Sequence, residues 1–283
     1  MITNIKAPKI VSNISEMQEI TYNSQKSIGF VPTMGYLHEG HISLVKEATK
    51  NNDIVVVSIY VNPSQFSPNE DLDNYPRDLD KDISLLAEHG VDYVFFPDND
   101  MMYQDGFKTW VEVDEITKIL CGKSRATHFK GVTTIVNKLI NIVNPTRMYM
   151  GEKDFQQLAV IRQMVRDLNQ RVEVVGCELF REDDGLAMSS RNKYLSEPGR
   201  ENALCLSKAL KLAQELFTKG IVDFAEVKQE MQKLIETASG ITDYIELVDS
   251  TTLESKNEIS SGDRIVMAVK IEKTRLIDNM EIR

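Results

Sequence analysis

Apolar residues along the chain fall into two alternating patterns. Short, β-prone apolar runs occupy 27–31, 53–61, 91–96, 147–150 and 172–179, and the second of these is apolar almost throughout. Strands buried on both faces read this way, and they belong to parallel sheets covered by helices. Between the runs, apolar positions recur at helical spacing. Ile42, Leu44, Val45 and Ala48 mark a helix over 41–50, and another is predicted over 78–89. A long one carries Val132, Ile135, Val136, Leu139, Ile140 and Val143 and stops before Pro145. A short helix over 15–24, a short strand over 109–113 and a helix running to about 169 complete this half. Strand, helix, strand in this order is a right-handed βαβ unit. Beyond about residue 190 the pattern changes. Helices over 202–219 and 224–239 are followed by strands over 241–248, 264–273 and 276–282, a segregated α+β arrangement. The expectation is an α/β protein with a Rossmann-like parallel sheet over 1–180 and a smaller α+β domain over 181–283. From about residue 202 on, this domain carries no motif of its own and reads as a lid.

The chain is organised around one stretch, residues 30–41, Phe-Val-Pro-Thr-Met-Gly-Tyr-Leu-His-Glu-Gly-His. It reads as the end of a strand, a tight turn punctuated by Pro32 and Gly35, and a helix start. A turn of this kind exposes backbone N–H groups at a helix N-terminus, a ready site for an anion. His38 and His41 are three apart, so on a helical first turn they share a face. Gly40 between them leaves room for a phosphate against the backbone. Two imidazoles and free N–H groups aimed at one spot suit a polyphosphate whose charge grows during reaction. Two histidines capping a helix is the plainer alternative.

Composition narrows the class. With 283 residues and a formal net charge of −10, the chain has enough length for a sizeable core and the wrong sign for nonspecific binding to nucleic acid or acidic membrane. No apolar run approaches ~20 residues. The N-terminal residues, Met1 to Lys9, carry no signal-peptide pattern. Cys121, Cys177 and Cys205 are odd in number and widely spaced, which fits reduced thiols in a cytoplasm.

Other loops offer chemistry of the same kind. Asn62 and Gln65, after the second strand, lie where open α/β sheets line their ligand crevice. Their neutral amides donate and accept, although Asn-Pro is also simply a turn. Asp78, Asp80 and Asp82 complement a helix dipole, or one of them, Asp82, helps hold Mg²⁺ on an ATP tail. The basic run 122–131, with Arg125 and His128, is either a solvated loop or an anion site before a helix. Gly151-Glu152-Lys153-Asp154 again places glycine between strand and helix, with Lys153 placed for a phosphate and Gln157 one turn further on. Met188-Ser189-Ser190-Arg191 sets two hydroxyls and a guanidinium on a flexible loop, suited to gripping and releasing a triphosphate.

Taken together, these motifs resemble those of the pantoate–β-alanine ligase family, within the nucleotidyltransferase group. The matching stretches are 31–35 with His38 and His41, 61–66, Tyr75-Pro76-Arg77, 128–129 with 131–132, 151–158 and 184–192. They stand in the family's order across most of 31–192, and the C-terminal third matches mainly by length and position. Tyr60, where Phe is commoner, and Asp78, where Thr is commoner, are small departures.

The resemblance implies a nucleotidyltransferase domain that activates pantoate with ATP, releasing pyrophosphate, then passes the pantoyl group to β-alanine and releases AMP. It implies that Met34, Gly35, Tyr36, Leu37, His38, Glu39, Gly40 and His41 cradle ATP, with His41 as proton donor and His38 on the phosphates. Gly151, Glu152, Lys153 and Asp154 would hold ribose and phosphate. The backbone of Phe180 would meet adenine, and Met188, Ser189, Ser190 and Arg191 would close on the triphosphate. Gln65 and Gln157 would bind pantoate, with Gln65 also beside β-alanine. Asn62, Arg125 and His128 would join the pantoate or acceptor pocket, and Asp82 would attend Mg²⁺. His41, His38, Lys153 and Arg191 are then the catalytic set of a cytoplasmic homodimer, with Val111 or the helix after Val132 as its seam. Two rivals stand beside this reading. A different nucleotidyltransferase or acid-activating adenylate former would share the histidines and phosphate loop without needing Gln65 and Gln157. A non-catalytic nucleotide-binding module would have no need for the full set of charged and hydroxyl groups.

Overall fold

The computed structural model describes residues 7–67 and 70–283, so the reading of residues 1–6 lies outside the described residues. The chain divides into two compact units: Met1–Glu152 with Val160–Glu178, and Lys153–Ala159 with Leu179–Arg283.

The first unit contains β1 (Lys9–Val11), α1 (Ile14–Tyr22), β2 (Ile28–Thr33), α2 (Glu39–Asn51), β3 (Ile54–Ile59), α3 (Leu79–Glu88) and β4 (Tyr93–Phe95). Two single turns follow, α4 (Asn99–Met102) and α5 (Cys121–Ser124), then α6 (His128–Val143), β5 (Arg147–Gly151), α7 (Phe155–Asp167), of which residues 155–159 belong to the second unit, and β6 (Glu173–Cys177). Its six strands run parallel in the order β1-β4-β3-β2-β5-β6. The connections step outward from β2 in one direction, then return to its other side at β5. The carboxyl ends of β2 and β5 therefore flank the switch point, where α/β sheets bind ligands. Pro32 lies inside β2, yet breaks no ladder to β5, which pairs only at Gly29 and Phe30. Val31, Ile42, Val45, Val57, Leu86 and Val94 form the core between sheet and helices.

β1 escaped the sequence reading because three residues with one buried side chain carry no periodicity. The strand predicted over 109–113 is absent. The segment is extended but hooks onto helix side chains instead of a strand: Val111 N–H donates to Thr134 Oγ1 at 3.0 Å, and Thr133 Oγ1 donates to Val111 O at 2.6 Å. The helix after Val132 is the other expected seam. Its apolar positions, Val132, Ile135, Val136, Leu139 and Ile140 among them, are already buried. It ends at Asn144, in the left-handed region at φ 45°, followed by Pro145.

α6 lies against the 3-10 turn Pro63–Gln65, and Gly131 makes that approach possible. A Cβ there would stand 2.3 Å from the Ser64 carbonyl oxygen and 2.7 Å from Gln65 N.

The second unit holds α8 (Glu197–Ala203), α9 (Cys205–Thr218), α10 (Phe224–Thr237) and an antiparallel sheet of β7 (Ile241–Val248), β8 (Arg264–Ile271) and β9 (Thr274–Glu281) in that order. Ile265, Met267, Val269 and Leu276 face α9 and α10 in one core with Leu206, Leu210, Val227, Met231 and Ile235. The sequence reading ended the first domain at 180. In the structure Lys153–Ala159 groups with the second unit. Asn279 Nδ2 on β9 donates to Lys153 O at 3.0 Å, and the Arg264 guanidinium on β8 lies 4.1 Å from the Phe155 ring centroid.

Gly131→Ala tests the close approach. The added methyl meets backbone that cannot swing aside, so urea unfolding should show a loss of about 1–3 kcal/mol. Unaltered stability would mean that the Pro63–Gln65 turn yields freely.

Candidate active site

The turn after β2 is built by its own polar groups. Thr33 Oγ1 donates to Ser58 O at 2.7 Å across to β3 and accepts Gly35 N–H at 3.1 Å. Gly35 and Tyr36 both take positive φ, 80° and 52°. Tyr36 is strained there, as a residue with a Cβ. What holds it is Asp82 on α3: its Oδ2 accepts Tyr36 N–H and its Oδ1 accepts Leu37 N–H, each at 2.7 Å. A Cβ on Gly35 would press on Ile59 Cγ2 at 2.9 Å and on that carboxylate at 3.1 Å. The turn thus rests on the carboxylate, and only glycine fits between.

This corrects the reading of Asp82 as a magnesium ligand. The residue is 1% exposed and both its oxygens serve backbone N–H groups. Burial pushes its carboxyl above the usual range, while the two N–H bonds pull back. Among the described residues no group of three or more His, Cys, Asp or Glu could hold a metal ion. Asp78, the departure noted in the sequence, caps α3 by accepting Lys81 N–H at 3.2 Å. Tyr60, the other departure, is buried with its hydroxyl donating to Asn99 Oδ1 at 2.8 Å.

His38 is the N-cap of α2, and its carbonyl accepts His41 N–H at 2.8 Å and Ile42 N–H at 3.0 Å. The two imidazoles stack with centroids 4.0 Å apart and planes tilted by 36°. His38 N–H donates to His41 Nδ1 at 3.4 Å. An Nδ1 that accepts places the proton of the neutral His41 ring on Nε2, which makes that atom a donor. Glu39 and Gly40 form the first helical turn, where the dipole favours an anion.

At the end of β3, Gln65 sits in a web of fixed bonds. Asn62 Nδ2 donates to Gln65 Oε1 at 3.1 Å and to Gly131 O at 3.2 Å, and Gln65 Nε2 donates to Met34 Sδ at 2.9 Å. Asn62 Oδ1 accepts from Ser64 Oγ and Tyr103 Oη, 2.9 and 2.8 Å away. His128 Nδ1 lies 2.8 Å from Gln65 O, and Arg125 Nη2 donates to the same carbonyl at 3.3 Å. Arg125 also grips Glu70 through both carboxylate oxygens, at 2.6 and 2.7 Å. Asn62, Arg125 and His128, expected from sequence in the pantoate or acceptor pocket, form here a frame of bonds around Gln65. Asn62, 1% exposed, is enclosed by that frame.

In the second unit the run 180–192 is more ordered than the flexible loop expected. Met188 N–H donates to Phe180 O and Glu182 N–H to Leu186 O, closing a hairpin whose turn is Gly185 at φ 94°. Asn192 Nδ2 donates to Glu182 Oε1 at 2.7 Å, and Arg200 bridges Glu182 and Asp184 at 2.7 Å each. Ser189 caps the 3-10 turn Ser190–Tyr194 by accepting Arg191 N–H. Arg181 forks onto Asp278, Nη1 to Oδ2 at 2.8 Å and Nη2 to Oδ1 at 2.9 Å, while Nη1 also reaches Gly185 O. Lys153 and Gln157 are half-buried, in the short stretch that belongs to this unit. Asp278 and Asn279 were missed in the sequence reading. Their signal is two adjacent polar residues breaking the alternation of an otherwise well-patterned strand. Cys177 and Cys205 carry thiols that burial pushes up to about 11, so neither is a nucleophile at neutral pH.

A parallel sheet whose switch point carries an anion-binding turn with paired imidazoles defines a phosphate-handling α/β enzyme. The family model described as pantoate-beta-alanine ligase matches residues 9–281. The pantothenate synthetase of Sulfurihydrogenibium sp. (strain YO3AOP1) is 52% identical over 278 residues, covering 96% of this chain and 99% of that one. The crystal structure of pantothenate synthetase from Thermus thermophilus superposes with a TM-score of 0.93 at 44% identity, covering 96% of this chain and 99% of that one. The pantoate-beta-alanine ligase of Francisella tularensis, complexed with beta-gamma ATP and beta-alanine, superposes with a TM-score of 0.82 at 39% identity, covering 97% and 98%. The chain belongs to the pantoate–β-alanine ligase family.

Asp82→Asn should leave one of the two turn N–H groups facing an NH₂. A buried donor without an acceptor costs about 1–3 kcal/mol, so the melting temperature and the rate of pyrophosphate release should fall together. A parent-like rate would show that the turn does not depend on Asp82. Glu70 makes a pH test. Burial would raise its carboxyl, but the hydrogen bonds and charge of Arg125 outweigh that and hold it below the usual value. Its folded-state affinity for a proton is therefore depressed, and its contribution to stability is present above the unfolded value and lost as pH falls through the folded one. The stability gap between the parent and Glu70→Gln should be widest near about pH 7 and close towards about pH 3. A gap constant across that range would contradict the pairing.

Proposed function

We propose that this chain joins pantoate to β-alanine in two steps, with ATP as the activating substrate. The observation that carries the reading is the Gly35–His41 turn: backbone N–H groups and two stacked imidazoles at the N-terminus of α2, beside the switch point of the sheet. In the first step a pantoate carboxylate oxygen attacks the α-phosphorus of ATP and pyrophosphate leaves. In the second the β-alanine amine attacks the acyl carbon, an N–C bond forms, and AMP leaves with the oxygen that had been pantoate's.

Negative charge accumulates on the departing pyrophosphate. His38 and His41 meet it, His41 through an Nε2–H made a donor by the bond at Nδ1. Met34, Tyr36, Leu37, Glu39 and Gly40 shape the same cradle. Gly151 to Asp154 take the ribose and phosphates, the Phe180 backbone the adenine, and Met188 to Arg191 the triphosphate. Gln65 and Gln157 bind the hydroxyl and carboxylate of pantoate. The bound Francisella ligands support ATP and β-alanine as ligands of this family. Among the described residues no cluster of three or more His, Cys, Asp or Glu could hold Mg²⁺, and in this proposal the ion enters with ATP as part of that substrate.

A homodimer and a cytoplasmic location belong to the same proposal. Exposed Trp110 beside half-buried Val111 supports the first. Three cysteines that form no disulfide support the second. No helix among the described residues is long and apolar enough to cross a membrane.

His41→Ala should lower the single-turnover rate of pyrophosphate release from ATP and pantoate by roughly 10²–10³, the effect of losing one donor to developing charge. A near-normal rate would remove His41 from the chemical step.

A further inference from the structure

β9 carries two adjacent buried polar residues, Asp278 and Asn279, at 2% and 4% exposure. Successive strand residues face opposite sides. Asp278 shares its side with Leu276 and the apolar core, and its charge is met there by the Arg181 fork. Asn279 is on the other side with Arg264. Its amide orientation follows from chemistry alone. Arg264 Nη1 can only donate, and it donates to Asn279 Oδ1 at 2.7 Å, so Nδ2 must face the Lys153 carbonyl, which it meets at 3.0 Å. The Arg264 guanidinium is itself stacked on Phe155, two residues past Lys153.

Arg181 ties to Asp278 the base of the hairpin that leads into Met188–Arg191, and Asn279 ties down the backbone of Lys153. These are two sequence-distant segments, both read above as phosphate contacts, anchored to neighbouring positions of one strand. We propose that Asp278 and Asn279 are positioning residues for ATP, Asn279 acting through Lys153 and Asp278 through Arg181 and the hairpin it braces. This rests on the reading of Lys153 and Met188–Arg191 as phosphate-binding. A point charge on a flexible stem is effective only if its backbone is fixed, and small misplacements of such a group are costly.

Asn279→Asp is the sharp variant, because it keeps the acceptor for Arg264 and replaces the donor to Lys153 with a second acceptor. It should lose roughly 10- to 100-fold in kcat/KM for ATP, with KM for β-alanine unchanged, while the acceptor facing the Lys153 carbonyl lowers the melting temperature without unfolding the protein. In a Lys153→Met background, where binding of an ATP analogue and single-turnover pyrophosphate release are read, Asn279→Asp should have no further effect. Multiplying losses in the double variant, or no loss in Asn279→Asp while Lys153→Met is impaired, overturns the proposal for Asn279 alone. A parent-like Lys153→Met overturns it together with the reading of Lys153. For the second arm, Arg181→Lys keeps the cation and removes the fork. A raised KM for ATP at unchanged melting temperature supports the role of Asp278, and a parent-like KM overturns it.

Discussion

The interaction on which the rest depends is the grip of one buried carboxylate on two consecutive backbone N–H groups. Asp82 holds Tyr36 and Leu37 in a turn that the chain would not adopt unaided, with Tyr36 at a φ that disfavours a Cβ. The turn sets where α2 begins, and so where the N–H groups of its first turn and the two imidazoles stand. A charged group at 1% exposure is expensive unless its hydrogen bonds are complete. Here the cost is offset by the turn that the carboxylate organises, which ties the site to the packing of α3 against the sheet.

The same logic recurs at lower cost elsewhere. The Gln65 side chain is held by the Asn62 amide and Met34 Sδ, and its own backbone carbonyl meets Arg125 and His128. Lys153 is held by an amide whose orientation is dictated by an arginine.

Much of this was legible in the sequence. The runs 53–61 and 147–150 are too apolar for anything but strands covered on both faces, and they stand in the sheet as β3 and β5. The turn at 34–38 was legible because glycine and proline punctuate it. What was not legible depends on partners far along the chain. The task of Asp82 is set by residues more than forty positions earlier, and an aspartate in a first helical turn looks the same whether it serves a dipole, a metal or a backbone. Asn62, Arg125 and His128 were noticed for their chemistry, but only the fold shows that their bonds are directed at Gln65. The segment 109–113 misled because β-prone residues can bond to helix hydroxyls as well as to a strand.

The central claim is that this scaffold activates the carboxylate of pantoate by linking it to the α-phosphorus of ATP. The most direct test uses pantoate labelled with oxygen-18 in its carboxylate, incubated with ATP, Mg²⁺, β-alanine and the protein, with mass spectrometry of the AMP released. One labelled oxygen in AMP, and none in pyrophosphate, is the result this account predicts. Unlabelled AMP, or ADP with labelled phosphate, would contradict it and place the activation at another phosphorus.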